Sequence, residues 1–272
     1  MMDRKVIDIH CHILPGLDDG IETMEDAIKA CRIARKDGIS GLVATPHFRE
    51  GFFYATPTVI MESISLLKEA IAREGIDLDI FPGSEVHITD NIPGKIKDGS
   101  IITMNMTGRY LLLELPYQQY PVEFEKVIFS LKLAGITPIL SHPERVKYFN
   151  DDIRRVAQAV ELGSFVQITS SSIMGHFGEE VRDFSRECAA RGLVHIIASD
   201  SHDTRSRAPE LMEAYHAMAT IVGEEDAFRM ISDNPLAIVE GKELTETFPH
   251  EQEKGSKKHA GTSFLKRFFI RS

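Results

Sequence analysis

The sequence lacks the features that mark membrane-spanning and disulfide-stabilised proteins. It has three cysteines in 272 residues, and Cys11, Cys31 and Cys188 show no paired spacing, so no disulfide framework is expected. No run of about 18 apolar residues occurs, which argues against a transmembrane helix. The charged start over residues 1–5 leads directly into the first predicted strand, without the apolar stretch of a signal peptide. We therefore expect a reduced, cytoplasmic protein.

Positive charge is also scarce. The chain has 31 lysines and arginines against 41 aspartates and glutamates, a net charge of -10, which argues against nucleic-acid binding. The exception is the C-terminal end, where residues 250–272 carry six basic and two acidic residues. We therefore predict one domain over 1–245 and a basic, flexible tail over 246–272.

The usual motifs of covalent hydrolysis are missing as well. No Cys-x5-Arg stretch begins at any of the three cysteines, and no Gly-x-Ser-x-Gly or Gly-rich Lys-Ser/Thr loop occurs. These absences exclude the cysteine-phosphatase loop, the serine nucleophile elbow and the phosphate-binding P-loop. Any hydrolytic chemistry must therefore depend on a metal.

What the chain does have is a regular alternation of apolar strand-like segments and helical patterns. Seven such alternations occur, and the helical patterns end at glycines, at Gly38, Gly75, Gly135, Gly163 and Gly192. This alternation is typical of a parallel sheet, and seven or eight units favour a closed (β/α) barrel. A doubly wound open sheet is the alternative. Residues 86–108 are predicted to be irregular.

The first strand carries a pattern typical of metal binding. His10 and His12 are two residues apart, so both side chains project from the same face of a strand. Two imidazoles on one face can bind one metal ion. The chain then turns at Pro15 and Gly16 and reaches Asp18 and Asp19. We expect these carboxylates to fold back and supply oxygen ligands.

Further histidines and carboxylates follow the later strands. They are His47, Glu85, Glu114, His142, Asp200 and His202. In a parallel barrel the C-terminal ends of the strands meet on one face, so these side chains should converge there. Histidine with carboxylate and without cysteine suits zinc, manganese or iron(II). About nine ligands are enough for two or three ions, an arrangement used for phosphoester hydrolysis.

Arginines accompany these ligands. Arg145 and Arg207 lie three and five residues after His142 and His202, and guanidinium groups suit phosphate oxygens. The alternative is that they, or the nearby Arg205, only pair with surplus carboxylates. The other histidines receive structural interpretations: His195 in the core, His87 outside the site, and His176, His216, His250 and His259 at the surface or in loops.

Several segments together resemble a known family. Residues 8–20, with their Ile-Leu-Pro-Gly stretch, are similar to the opening of bacterial manganese-dependent protein-tyrosine phosphatases. These belong to the polymerase and histidinol phosphatase (PHP) superfamily and act in capsule and exopolysaccharide regulation. Matching segments, including Ser-His-Pro-Glu-Arg, follow in the same order over nearly all of residues 5–240: they are 44–47, 83–86, 113–116, 141–145, 167–172 and 198–202.

The resemblance implies a distorted seven-stranded (β/α) barrel of PHP type, with three divalent metal ions at the C-terminal face of the strands. The ions are expected to be Mn2+, with Fe2+ or Zn2+ as alternatives. The implied ligands are His10, His12, Glu85 and Asp200 for the first ion, Glu85, Glu114 and His142 for the second, and Asp19, His47 and His202 for the third. Arg145 and Arg207 are the implied catalytic residues that grip the phosphate.

The implied activity is hydrolysis of phosphotyrosine on an autophosphorylating tyrosine kinase. Because no nucleophilic side chain matches a known scheme, we expect a metal-activated hydroxide to attack directly, without a phosphoenzyme. A small-molecule phosphatase of the histidinol phosphate type, or a phosphodiesterase, is an alternative on the same site. A non-catalytic sensor of metal or of a phosphorylated kinase is a third interpretation. In the tail, residues 264–271 mix basic and aromatic side chains, a composition that suits a short amphipathic helix for contact with a membrane surface or a kinase complex. The alternative is a disordered end that contacts nothing.

Overall fold

The computed structural model describes residues 4–244, so the predicted tail over 246–272 lies outside the described residues. The described part contains ten strands: β1 (Val6–Cys11), β2 (Ile39–Ala44), β3 (His47–Arg49), β4 (Phe53–Tyr54), β5 (Asp79–Pro82), β6 (Glu85–His87), β7 (Tyr110–Glu114), β8 (Thr137–Ser141), β9 (Phe165–Thr169) and β10 (Ile196–Ala198). Its eleven α-helices are α1 (Met24–Lys36), α2 (Pro57–Arg73), α3 (Ile92–Lys97), α4 (Phe124–Leu133), α5 (Lys147–Asn150), α6 (Arg154–Glu161), α7 (Ser170–Ile173), α8 (Glu179–Ala190), α9 (Met212–Val222), α10 (Glu224–Ile231) and α11 (Asp233–Val239).

Two strands, β2 and β5, are each followed after a two-residue link by a second short strand, β3 and β6. A two-residue link that ends in Pro46 separates β2 from β3, and proline has no backbone N–H to continue a strand ladder. The link between β5 and β6 contains Gly83, where an added Cβ would lie 2.8 Å from Cγ1 of Val43 in β2 and 3.2 Å from Cγ2 of Thr45 in the other link. The absence of a side chain at Gly83 therefore lets the two links pass close to each other.

The divided strands form two sheets. One has the order β1-β2-β5 and the other the order β10-β9-β8-β7-β6-β3-β4, and all pairs are parallel except β3 with β4. Between the sheets, the backbone N–H of Asp200 donates to the carbonyl oxygen of His10 at 2.8 Å, and that of His12 donates to the carbonyl oxygen of Ser201 at 2.9 Å. The predicted parallel α/β fold is confirmed. A closed seven-stranded barrel is not confirmed, because no continuous strand pairing joins the two sheets within residues 4–244.

The first helix, α1, begins and continues as its residues dictate. The hydroxyl of Thr23 accepts a hydrogen bond from the backbone N–H of Asp26 at 3.2 Å, as expected of an N-cap. Ala27, Cys31 and Ala34 then recur at helical spacing and are buried. The region predicted to be irregular, 86–108, contains the short helix α3.

The hydrophobic core lies on both faces of the strands, as is usual for parallel sheets. The smaller of two clusters contains Ile7, Ile9, Val43, Leu112 and Ile139, and the larger one packs the helices against the outer faces.

Because the principal strands run in one direction, the segments that follow them lie at one end of the fold. None of the described helices is both long and apolar enough to cross a membrane.

Candidate metal centre

The two histidines at the end of β1 face each other in the interior. His10 and His12 have no exposed surface, and their Nε2 atoms lie 3.2 Å apart. The prediction that both project from one face of the strand is therefore confirmed. An unprotonated ring nitrogen carries a lone pair, so two facing nitrogens are stabilised by a cation that both can bind.

Glu85 lies at the centre of a ring of histidines. Its Oε2 atom is 3.2 Å from Nε2 of His10, 3.4 Å from Nε2 of His12 and 3.1 Å from Nδ1 of His47. Its Oε1 atom is 3.0 Å from Nε2 of His142. Glu85 and His47 begin β6 and β3 instead of ending strands, because the chain divides just before them, and they are direct neighbours in the parallel pairing.

Asp200 joins the histidines to the arginines. Its Oδ1 atom is 3.2 Å from Nε2 of His10, and its Oδ2 atom accepts hydrogen bonds from Arg145 and Arg207. Asp200 and His142 each follow a strand with a left-handed backbone, with φ of 52° and 36°. Such angles are uncommon for residues other than glycine and cluster at functional sites.

The remaining predicted ligands lie nearer the opening of the site. An Oδ1 atom of Asp19 is 3.4 Å from Nε2 of His47 and 3.6 Å from Nε2 of His202. Glu114, at the end of β7, lies with Oε2 3.8 Å from Nδ1 of His47. The structure thus brings all nine predicted ligands into one cluster.

A second layer of residues orients the histidines. The Nδ1–H of His10 donates to Oε1 of Gln167 at 2.9 Å, and the Nδ1–H of His12 donates to Oδ2 of Asp18 at 2.7 Å. These bonds direct each Nε2 atom into the cluster, which is the usual role of second-layer partners of metal ligands. The sequence offered Asp18 only as a candidate ligand and Gln167 only as part of a matching segment.

The cluster fits divalent metal ions on an observation independent of any relative. Several of its buried polar atoms have no hydrogen-bond partner among residues 4–244: Nδ1 of His47, Oε2 of Glu85, Oε2 of Glu114 and Nδ1 of His142. Buried polar atoms without partners are costly. Its side chains form four overlapping sets whose ligand atoms lie within 4.8 Å of one another: His10, His12 and Glu85; His10, His142 and Asp200; His47, Glu85 and Glu114; and His12, Asp19, His47 and His202.

The electrostatics of the cluster agree with this fit. Burial and the neighbouring charge of Glu85 raise the pKa of Glu114 to about 8. Burial would also raise the pKa of Glu85, but His10 and His47 outweigh it and hold that pKa well below its usual value. Burial and Arg145 lower the pKa of His142 to about 4. Two carboxylates so close together need additional positive charge for both to ionise, and metal ions supply such charge.

A pocket of about 120 Å³ opens onto the cluster. Arg145 and Arg207 line it as predicted, whereas Arg205 is not among its lining residues. Arg49, Phe53 and Tyr117 also line the pocket.

The histidines given structural interpretations behave as predicted where they are described. His195 is buried, and its Nδ1 accepts a hydrogen bond from the backbone N–H of Val166 at 3.2 Å. His87 is half-buried and does not line the pocket, while His176 and His216 are exposed. His250 and His259 lie outside the described residues.

The parallel α/β fold and its buried histidine–carboxylate cluster define a protein built around a candidate metal site. The model of the family "Capsular polysaccharide synthesis, CpsB/CapC" matches residues 6–240, and the chain belongs to this family. It is 33% identical over 229 residues to tyrosine-protein phosphatase YwqE of Bacillus subtilis, covering 84% of this chain and 89% of that relative. It is 30% identical over 239 residues to tyrosine-protein phosphatase CpsB of Streptococcus pneumoniae, covering 86% and 98%.

Solved structures give the same result. The fold matches a structure described as a metal-dependent tyrosine phosphatase, from work on YwqE and CpsB, with a TM-score of 0.85 and 31% identity over 89% of this chain and 97% of that one. A phosphotriesterase homology protein of Escherichia coli matches with a TM-score of 0.59 at 10% identity, over 88% of this chain and 100% of that one. The second match concerns the fold alone.

Proposed function

We propose that this protein is a metal-dependent tyrosine-protein phosphatase, a phosphoric monoester hydrolase of capsule or exopolysaccharide synthesis. The observation that carries the proposal is the presence of all nine ligands in one cluster, beside two arginines that line the same pocket. The similarity to YwqE and CpsB supports phosphotyrosine as the substrate group.

The cluster would hold three divalent ions. Mn2+ is our first choice, and Fe2+ or Zn2+ suits the same donor atoms. The ions would be divided as the resemblance implies, with Glu85 shared between two of them. When bound, such ions supply positive charge to the phosphoryl oxygens and lower the pKa of water towards neutrality.

The chain's own residues would bind and orient the phosphate. Arg145 and Arg207 both contact one carboxylate, that of Asp200, so their guanidinium groups lie side by side at the pocket. Each has further N–H donors, which would bind the non-bridging oxygens as charge develops in the transition state. No covalent phosphoenzyme is proposed, because the nearest cysteine, Cys11, is fully buried and its thiol donates to the carbonyl oxygen of Val43 at 3.2 Å.

The aromatic loop formed by Phe52, Phe53 and Tyr54 would select tyrosine. Phe53 lines the pocket, and its ring lies 5.7 Å from that of His47 at an interplanar angle of 18°. Phe52 and Tyr54 are 73% and 57% exposed, so they are free to contact the phosphorylated ring or its flanking residues. We propose a phosphorylated tyrosine kinase as the protein substrate.

Two further proposals concern the fold and its location. The hydrogen bonds between the two sheets support a distorted barrel as the underlying architecture. The three cysteines are free and buried, which supports a reducing compartment, the cytoplasm.

Phosphate release by the purified protein with Mn2+ tests the function. We expect rapid release from a phosphotyrosine peptide and much slower release from a phosphoserine peptide, because the phenol leaves with a pKa of about 10. Faster hydrolysis of histidinol phosphate or of a phosphodiester would replace the proposal by a small-molecule activity, and no release from any substrate would favour a non-catalytic sensor.

Two variants and one stereochemical measurement test the mechanism. Arg145→Ala and Arg207→Ala should each lower turnover on the order of tenfold to a thousandfold with metal content unchanged. Single displacement by water predicts inversion at a chiral phosphorus. Retention would require two displacements, and the proposal of direct attack would then be wrong.

A further inference from the structure

Arg145 is held more firmly than its partner Arg207. One of its terminal nitrogens donates to Oδ2 of Asp200, and Nη2 donates to the phenolic oxygen of Tyr117 at 3.0 Å. Its guanidinium carbon lies 4.7 Å from the ring centroid of Phe177 and 5.7 Å from that of Tyr117. Both arrangements are within the range of cation–π contacts.

Arg207 has fewer contacts of this kind. Its Nη2 donates to Oδ2 of Asp200 at 2.6 Å, but its buried Nε has no hydrogen-bond partner among residues 4–244. No aromatic ring of the described part covers its guanidinium within cation–π distance, in contrast to Arg145. The two arginines therefore share a carboxylate and differ in their aromatic neighbours.

Tyr117 is itself fixed in place. Its ring lies nearly parallel to that of His142, at 7° and 6.1 Å between centroids. Its carbonyl oxygen accepts the backbone N–H of Lys147, at the start of α5, at 3.1 Å. The loop after β7 is thereby tied to the segment after β8 that carries Arg145.

We propose that Tyr117 is a positioning residue for phosphate binding, which, with Phe177, holds the Arg145 guanidinium in one orientation towards the phosphoryl group. A free arginine side chain loses about 2 kcal/mol of rotamer entropy when it is fixed. Because Tyr117 and Phe177 already fix the Arg145 side chain in the free protein, most of this entropy is lost before the substrate binds. The inference rests on the proposed phosphate-binding role of Arg145.

In the hydrogen bond between the two side chains, Arg145 is the donor and the Tyr117 hydroxyl oxygen is the acceptor. The proposed effect of the hydroxyl on phosphate binding therefore passes through the Arg145 guanidinium.

The test is a double-mutant cycle with Tyr117→Phe and Arg145→Ala, measured with an aryl phosphate and with inhibition by inorganic phosphate. Tyr117→Phe keeps the ring and removes the hydroxyl, so we expect kcat/KM to fall and the phosphate inhibition constant to rise about tenfold, the loss typical of one hydrogen bond to a charged group. In the Arg145→Ala background the same substitution should have an effect of less than twofold.

Tyr120→Phe is the matched control. Tyr120 lies in the same loop but packs on Phe124 and Tyr148 and does not line the pocket, so its kinetics should match the unmodified protein. Metal content and melting temperature should be unchanged in both tyrosine variants.

The outcomes distinguish the proposed phosphate-binding role of Arg145 from the positioning role of Tyr117. If Arg145→Ala is as active as the unmodified protein, the proposed role of Arg145 fails. If Arg145→Ala is impaired but the two substitutions act independently, only the positioning role of Tyr117 is overturned. A loss of metal from Tyr117→Phe would also overturn the positioning role, because the substitution would then act through the proposed metal ligand His142, on which the Tyr117 ring stacks.

Discussion

Glu85 should be the most sensitive single ligand of the cluster. We expect Glu85→Gln to weaken two metal ions at once, whereas Glu114→Gln should weaken one. The structure gives the reason: the Glu85 carboxylate lies within 3.4 Å of four imidazoles, those of His10, His12, His47 and His142. The Glu114 carboxylate lies 3.8 Å from one of them.

The magnitude follows from the charge that is lost. A hydrogen bond or contact to a charged group contributes about 1.5–3 kcal/mol, which corresponds to roughly tenfold to a hundredfold in a dissociation constant. Glu85→Gln should therefore weaken two ions by this factor and Glu114→Gln one. Glutamine preserves the volume of the side chain, so the packing around Glu85 should survive.

The measurements are metal content after gel filtration and turnover of an aryl phosphate as Mn2+ is titrated. Glu69→Gln is the control, because Glu69 is an exposed residue of α2 that pairs with the exposed Arg73 at 3.4 Å and lies outside the cluster. Equal metal content in Glu85→Gln and the unmodified protein would refute the shared role of Glu85, as would a larger loss from Glu114→Gln.

Three more predictions follow from other parts of the chain. Gln167→Leu removes the acceptor for Nδ1 of His10 and should weaken metal binding by about tenfold to a hundredfold, as measured by metal titration; unaltered affinity would contradict the orienting role. Burial lowers the pKa of His195 to about 4, so its neutral form is favoured in the folded state: stability should be complete above pH 6.5 and fall by up to about 3 kcal/mol as pH drops towards 4. Urea unfolding should show this loss in the unmodified protein and a smaller one in His195→Gln, and equal pH dependence would exclude His195 as its source. Deleting residues 250–272 should leave hydrolysis of a small aryl phosphate unchanged, and a collapse in rate would show that the tail takes part in the chemistry.

Most of the ligands could be predicted from the sequence because they follow a strongly apolar segment. Glu114, His142 and Asp200 come at the end of β7, β8 and β10 or within two residues of it, and parallel strands bring such positions to one end of the fold. The division of two strands was not predicted. Pro46 was seen as part of a motif, but a single proline does not reveal that the strand resumes in another sheet.

The supporting residues were harder to predict. Asp18 and Asp19 are adjacent and chemically identical, and only the turn decides that Asp18 orients His12 while Asp19 lies beside His47 and His202. Tyr117 and Phe177 lie in loops, where no periodic pattern indicates what a side chain contacts. Their contact with Arg145 depends on two chain segments that meet only in the folded protein.

His142 and Asp200 have a left-handed backbone, which is unfavourable for residues with a side chain. An L-residue incurs a conformational cost of about 1–2 kcal/mol in such a conformation, and glycine at either position would remove that cost together with the ligand. The two positions therefore keep a strained backbone for the sake of the chemistry, in the usual conflict between stability and activity. A descendant of this chain that no longer needed its metals should accumulate glycine first at these two positions, and glycine there in a relative would mark a lineage that has abandoned the chemistry.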